Sequence, residues 1–412
     1  MSQIKLKHSG GNGVIIAAPS SNPASDRTLT LPSDADGTIV SKDSSNNLTG
    51  IASINGGSIG TKNVIINGAM RVSQRGSSVS VSDTVRGYQT LDRFEYNKHG
   101  TLTHVMTMEK STDSPDGFSN SLKFSTTTAD ASLTTDQSHY LTYEIEGQDL
   151  QHLAYGTSSA KSFTLSFYIK GTITGTYVVW FYSPDTGKAC THTYTINSAN
   201  TWERKTITVD GDTASAIAND NGSGLMVRWV LGTGPSYSSG SASTTWTTNS
   251  LTAENRYVGQ TANIAATTSD NWAITGVQLE AGSTANEFVH ESYADTFLKC
   301  QRYYHVLYDN TLHQGTYWQT GYYYNSTTIN LIMRMNPEMR ATPSLDCTSV
   351  TNLYRLYRDG SYDGLDDFTL SHSSKNSVRL YNSSDASGTA GQAGGFYVSS
   401  GSAAIIALNA EL

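Results

Sequence analysis

The sequence predicts an all-β protein: an N-terminal extended β arm, a central jelly roll or β-sandwich, and a small C-terminal antiparallel β domain, with one short helix between the two β domains. Three observations carry this prediction. Apolar and polar residues alternate with period two over many short runs. Gly is frequent, at 36 residues, and with abundant Ser, Thr and Asn it separates those runs. The aromatics are weighted toward Tyr, 24 against 10 Phe and 6 Trp, and Tyr pairs a strand-favouring apolar face with a polar tip. At 412 residues the chain has room for two or three folded units.

Residues 1–62 form the arm. Val14-Ile15-Ile16, Leu29-Thr30-Leu31 and Thr38-Ile39-Val40 read as short strands between turns at Gly10-Gly11-Asn12-Gly13, Asn22-Pro23 and Asp34-Ala35-Asp36-Gly37. An isolated hairpin is marginal in water, so such strands need a partner. The segment is either a disordered tail or an arm that orders against copies of itself or a neighbouring protein.

Residues 63–302 read as the jelly roll, ending in the helix. Between Phe163 and Ile169, residues Phe163, Leu165, Phe167 and Ile169 face one way and Thr164, Ser166 and Tyr168 the other. From 176 to 182, Tyr177, Val179 and Phe181 oppose Val178, Trp180 and Tyr182, and the Gly171–Gly175 turn makes the two runs a hairpin. Further strands are expected at 102–108, 122–125, 140–146, 205–209, 225–231 and 272–279. Many short strands with turn-rich connections imply a sandwich or jelly roll. Ser292 three residues before Asp295 is a capping pattern, and Tyr293, Phe297 and Gln301 recur at helical spacing, predicting a helix over 292–302. Residues 303–412, dense in Tyr, read as the C-terminal β domain, with hairpin tips at Asp359-Gly360 and Asp363-Gly364.

Charge excludes several functions. Lys and Arg number 27 against 35 Asp and Glu, for a net charge of −8, and an acidic chain with no basic run is a poor nucleic-acid binder. No stretch approaches the ~18 apolar residues of a membrane span, and the N-terminus lacks a signal-peptide core, so a chain without membrane insertion, made in a cytoplasm, is expected. Cys190, Cys300 and Cys347 are far apart and lack metal-ligand spacing.

No nucleophile elbow, zinc-protease helix, Walker loop or dinucleotide fingerprint occurs, so no cofactor and no catalytic residue is assigned. Glu144 and Glu146, at i, i+2 on one strand face, have a spacing compatible with an acid pair for glycan hydrolysis, although alternation places polar residues on a solvent face by default. Asp210-Gly211-Asp212, Asn219-Asp220-Asn221-Gly222 and Asp363, Asp366 and Asp367 resemble oxygen-ligand loops for Ca²⁺, but none has the twelve-residue calcium-loop pattern and all are ordinary turn formers; no metal site is assigned.

Binding is better supported. Sugars stack on Tyr or Trp and hydrogen-bond to Asn, Asp, Gln and Arg, which suits a weakly charged, Tyr-rich surface. Trp246 and Tyr237 lie in or beside a Ser/Thr/Gly-rich stretch without alternation and are expected to be exposed on a loop, whereas Trp180, Trp229 and Trp272 are expected in or near the core. Tyr322 and Tyr324, near Tyr317 and Trp318, are expected either on a sugar platform or at a subunit interface. The candidate carbohydrate-binding residues are therefore Tyr237, Trp246, Tyr322 and Tyr324.

Three stretches carry a wider resemblance: Asn63 to Gly76 (NVIINGAMRVSQRG) leading to Leu91-Asp92-Arg93-Phe94; Trp272 to Gly282 (WAITGVQLEAG); and Tyr293 through Cys300-Gln301-Arg302-Tyr303-Tyr304. With Met339-Arg340-Ala341-Thr342-Pro343 and the arm segments Leu29-Thr30-Leu31-Pro32 and Asp36 to Val40, the chain resembles phage virion proteins of the tail-fibre type, particularly those of cyanophages and other marine phages. The resemblance implies a homotrimer in the virion tail, an arm docking on a tail or baseplate protein, a carbohydrate-binding-like jelly roll, and attachment to host surface glycan such as lipopolysaccharide or capsule. It supplies no catalytic residue. A purely structural adaptor, connector or decoration protein is the alternative, and a glycan depolymerase, lacking a β-helix repeat, ranks third.

Overall fold

A computed structural model describes residues 3–7, 10, 13–17, 53–54, 57–58, 63–248, 255–309, 316–398 and 404–412. The chain forms two compact units, Met1–Ala52 and Ser53–Leu412. In the first, Gln3–Lys7 pairs antiparallel with Gly13–Ala17, from Gln3 opposite Ala17 to Lys7 opposite Gly13. The strands expected at 29–31 and 38–40 lie outside the described residues.

The second unit begins with a short ladder of Ser53–Ile54 on Gly57–Ser58. It continues as a two-sheet sandwich. A seven-stranded sheet runs in the order Thr247–Thr248, Lys188–Ile196, Gly175–Ser183, Ser223–Thr233, Ser138–Glu146, Glu95–His99 and Gly87–Tyr88. A six-stranded sheet runs in the order Glu203–Val209, Phe163–Gly171, Asn271–Ala281, Ser121–Thr128, Val105–Ser111 and Ser78–Val81. Alternation decides which residues fill the space between them: Phe163, Leu165, Phe167 and Ile169 of one sheet meet Tyr177, Val179, Phe181 and Trp229 of the other. The rings of Phe163 and Phe181 are 5.3 Å apart and those of Phe167 and Trp229 are 6.0 Å apart, both edge-on. Each large side chain so buried contributes about 1.5–3 kcal/mol.

The pairing differs from the expected hairpin. Phe163–Gly171 pairs with Glu203–Val209 and Asn271–Ala281, while Gly175–Ser183 pairs with Lys188–Ile196 and Ser223–Thr233. The Gly171–Gly175 connection therefore crosses between sheets. The aromatic faces of the two strands meet across the core instead of lying side by side.

Gly276 sits where the ladder slips, between the Ser166–Gln278 and Tyr168–Thr275 pairs. Its φ is +61°, and a Cβ there would lie 2.7 Å from Phe118 Cζ and 2.9 Å from Tyr168 Cδ2. Both the conformation and the close approach call for Gly.

The expected helix spans Tyr293–Gln301, with Ser292 Oγ accepting from the Asp295 amide at 3.1 Å and donating to its carboxylate at 2.6 Å. Two further short elements were not expected: a 3₁₀ helix at Gly147–Leu153 and a single turn at Pro235–Ser238. No helix among the described residues is long and apolar enough to cross a membrane.

Beyond the helix, Tyr304–Asp309, Ile405–Asn409 and Ser344–Cys347 form a three-stranded sheet around the central Ile405–Asn409. A second seven-stranded sheet runs Ser361–Leu365, Tyr354–Arg358, Ala393–Val398, Gln319–Asn325, Thr328–Arg334, Ser377–Asn382 and Thr369–Ser371. Tyr308, Tyr323, Leu331, Leu356, Phe396 and Ile406 belong to their common core. Asp359-Gly360 is a hairpin tip, since Arg358 pairs with Ser361, but Asp363-Gly364 lies within a strand, opposite Leu356 and Arg355.

Residues of the quoted stretches converge where the C-terminal strands meet the sandwich. Asn67 holds its turn through bonds to Arg71 N, Val72 N, Val72 O and Asp92 O. Arg93 and Arg75 both pair with Glu411, and Arg302 reaches Glu146 at 2.8 Å. These motifs are structural. Cys300 is fully buried, and all three cysteines are free thiols.

Candidate carbohydrate-binding face

The seven-stranded sheet of the sandwich has one face in the main core, and its outer face is partly covered by Tyr237 and Tyr257, which form a second buried cluster with Tyr140, Val178, Trp180 and Val230. Strand register places a row directly across the outer face: Tyr88 opposite Glu95, Glu95 opposite Thr142, Thr142 opposite Arg228, and Arg228 opposite Trp180. A parallel row runs from Glu144 through Met226 to Tyr182. Carboxylates, a hydroxyl, a guanidinium and aromatic rings are thus brought together from five strands.

The floor is rigid. The Arg228 guanidinium lies 4.3 Å from the Tyr140 ring centroid and 5.2 Å from that of Trp180, and donates to Tyr257 Oη at 3.2 Å. Trp180 stacks on Tyr182 with ring centroids 5.1 Å apart and planes 6° off parallel. Trp180 is fully buried, so half-buried Tyr182 is the accessible member of the stack. Glu95 and Glu144 stand half-buried at the rim.

Four polar atoms along the first row have no hydrogen-bond partner among the described residues: Tyr88 Oη, Thr142 Oγ1, Arg228 Nε and Trp180 Nε1. Thr142 is 1% exposed and Arg228 7%. Most buried polar groups find partners, and leaving one unmade costs about 1–3 kcal/mol. Each of these atoms is closed off from solvent, so the row is a buried polar floor beneath the groups a ligand would meet, Glu95, Glu144 and Tyr182.

Electrostatics favours a neutral acid at the rim. Burial, with the neighbouring Glu144 carboxylate adding to it, pushes Glu95 up to about 7 against the opposing pull of Arg228. Glu95 therefore holds its proton far more readily than an ordinary carboxyl, and in that form it donates as well as accepts. Burial likewise raises the Tyr88 phenol well above its usual range, keeping it a neutral donor.

The four expected site residues separate. Tyr237 was expected to be exposed, but it is 4% exposed: it joins a buried cluster with Tyr140, Val178 and Trp180, its ring lies 6.1 Å from that of Tyr257, and its hydroxyl bonds His99 Nδ1 at 2.6 Å. The turn at Pro235–Ser238 folds it onto the outer face, where it closes one side of the site. Trp246 is half-buried, edge-on to Tyr155 at 5.9 Å, and its Nε1 donates to Asp210 O at 2.8 Å. Tyr322 and Tyr324, 37% and 68% exposed, lie on the separate C-terminal sheet.

Glu144 and Glu146 do not form an acid pair. Glu146 is fully buried at the junction, where Arg302 holds it at 2.9 and 2.8 Å and Tyr303 Oη at 2.5 Å. The carboxylate diagonal to Glu144 is Glu95, one strand away. The acidic turns that resemble Ca²⁺ loops, where no metal site is assigned, are engaged internally, Asp212 with Lys188, Asp363 with Tyr323 and Asp366 with the Asn352 amide.

Thr142, Glu95 and Arg228 were missed because they come from strands far apart in sequence. One signal was present: Arg228 interrupts the otherwise apolar run Leu225–Leu231 on the side opposite Trp229.

No protein-family model matches the chain, and no curated protein matches it. Among solved structures, the enzymatically active domain of tailspike protein 4 from bacteriophage CBA120 is 14% identical over 53% of this chain and 21% of that one, with a TM-score of 0.29. The chain thus spans about a fifth of that structure's length. A family 11 carbohydrate-binding module from Clostridium thermocellum, in complex with a mixed-linked tetrasaccharide, is 11% identical over 51% of this chain and 98% of the module, with a TM-score of 0.25. TmCBM61, in complex with β-1,4-galactotriose, is 11% identical over 53% and 97%, also with a TM-score of 0.25. At these scores, what the face binds must be read from its own residues.

Proposed function

We propose that this chain is an attachment protein of a phage tail that binds host surface glycan on the outer face of its sandwich. The observation that carries the proposal is the accessible group Glu95, Glu144 and Tyr182, brought together by strand register over the buried row Thr142, Arg228 and Trp180. A pyranose ring would lay its apolar face on Tyr182 while its hydroxyls meet the Glu95 and Glu144 carboxyls. The wider role is proposed with it: a homotrimeric fibre, docked on the tail or baseplate through residues 1–62, in which weak sites sum their affinities.

Full-length protein on a glycan array, and in competition with phage adsorption, tests this. Binding to a restricted set of glycans, weakened at least tenfold by Tyr182→Ala, supports the reading. An empty array with no competition points to a structural adaptor.

A second reading follows from Glu95. A carboxyl raised to about 7 and set diagonally across one strand pair from a second carboxyl is the kind of arrangement a hydrolase acid and its partner use. Release of reducing sugar from a bound glycan, abolished by Glu144→Gln, would identify an enzyme; binding without release identifies a lectin-like face.

A further inference from the structure

The outer face of the C-terminal seven-stranded sheet is a second, chemically different surface. Its core side is filled by Tyr323, Leu331, Leu356, Leu380 and Phe396, so by alternation the intervening residues point outward. Arg355, Arg379 and Arg334 are on this side, and none of the outward strand positions holds a carboxylate. In a chain of net charge −8 this is a local reversal. No ion pair among the described residues reaches any of the three arginines. Arg355 Nε and Arg379 Nε are buried without a hydrogen-bond partner among the described residues.

Tyrosines flank the guanidiniums. Arg355 lies 4.5 Å from the Tyr362 ring centroid and Arg379 4.8 Å from that of Tyr381, which fixes each plane. Tyr317, Tyr357 and Tyr397 form a mutual cluster, with centroids 5.8–6.1 Å apart, over Gly395, where a Cβ would lie 2.6 Å from the Tyr317 ring. Tyr317 remains 64% exposed. Arg355 and Arg379 are four strand spacings apart, about 19 Å, a distance that a polymer spans and a single sugar does not.

We infer that this face binds an anionic polysaccharide, with the arginines meeting its carboxylate groups and the tyrosines stacking on its rings. Guanidinium is the side chain best matched to carboxylate. Two-fold self-association through this face would set arginine against arginine, which charge disfavours. The site is separate from the sandwich face and shares no residue with it, so either can fail alone.

The test is electrophoretic retardation of full-length protein in native gels containing polygalacturonate, polyphosphate or neutral dextran. Because the protein is acidic overall, retardation by a polyanion requires a local site. Polygalacturonate is expected to retard the wild type and dextran not to. Arg355→Gln with Arg379→Gln should weaken the effect at least tenfold and Arg334→Glu, at an exposed position that leaves folding intact, at least threefold. Tyr357→Ala should weaken binding to polygalacturonate and not to polyphosphate. The inference is overturned by absence of retardation, by equal retardation in dextran, by Arg334→Glu and the double variant both behaving as wild type, or by a change in sedimentation in the variants showing that the face joins copies of the chain.

Discussion

The Arg93 guanidinium lies 3.5 Å from the centroid of the Tyr303 ring, sandwiched toward Tyr143 at 5.3 Å, while its Nη1 pairs with Glu411. Arg93 is 1% exposed, and it ties the first motif of the sandwich to the second-last residue of the chain. Arg75, 3.6 Å from the Tyr304 ring centroid, reaches the same carboxylate.

Breaking this pair should destabilise the protein strongly. Arg93→Met leaves Glu411 buried beside Arg75 alone, and loss of one partner of a buried pair costs about 3–5 kcal/mol. Urea denaturation should show the loss; a shift under 1 kcal/mol would mean that the junction is solvated.

Acid should loosen the same junction through Glu146. Burial alone would raise its pKa, but the bonds from Arg302 and Tyr303 outweigh it and hold the carboxyl below the usual range. A depressed folded-state pKa gives stability that is present above the unfolded value of about 4.3 and lost as pH falls through the folded one. Glu146→Gln should therefore flatten the acid limb of the melting-temperature profile.

Glu95 should act with the opposite sign. Its carboxyl, raised to about 7 in the folded state by burial and Glu144, binds protons there that the unfolded chain has already released. Stability tied to this group is full below pH ~4 and falls as pH rises through 7. Glu95→Gln should remove that decline, seen by comparing melting temperatures at pH 5 and 8.

Gly276→Ala places a side chain at φ +61° against Phe118. The expected cost is about 1–3 kcal/mol, measurable by denaturant titration. Trp246→Ala, by contrast, should lower stability through its lost bond to Asp210 O yet leave glycan affinity unchanged.

The strands and their faces were legible because burial imposes period two: Phe163 to Ile169 point as the alternation requires, and Ser292 caps the helix its spacing predicts. Sheet membership was not legible. A five-residue glycine-bounded connection such as Gly171–Gly175 serves a hairpin or a sheet crossing equally, and only the meeting of Phe163 with Phe181 decides it. Tyr237 misled because a Ser/Gly-rich neighbourhood reports a loop without reporting what the loop covers. The site row was hidden for a related reason: Glu95, Thr142 and Arg228 become neighbours only through register.

Tyr182→Ala tests the central claim most directly. Tyr182 is the accessible member of its stack with Trp180, so its loss should weaken binding of an array-identified glycan at least tenfold while the variant still unfolds cooperatively. Unchanged affinity in a folded variant would contradict the account, because the ring would then not carry the sugar.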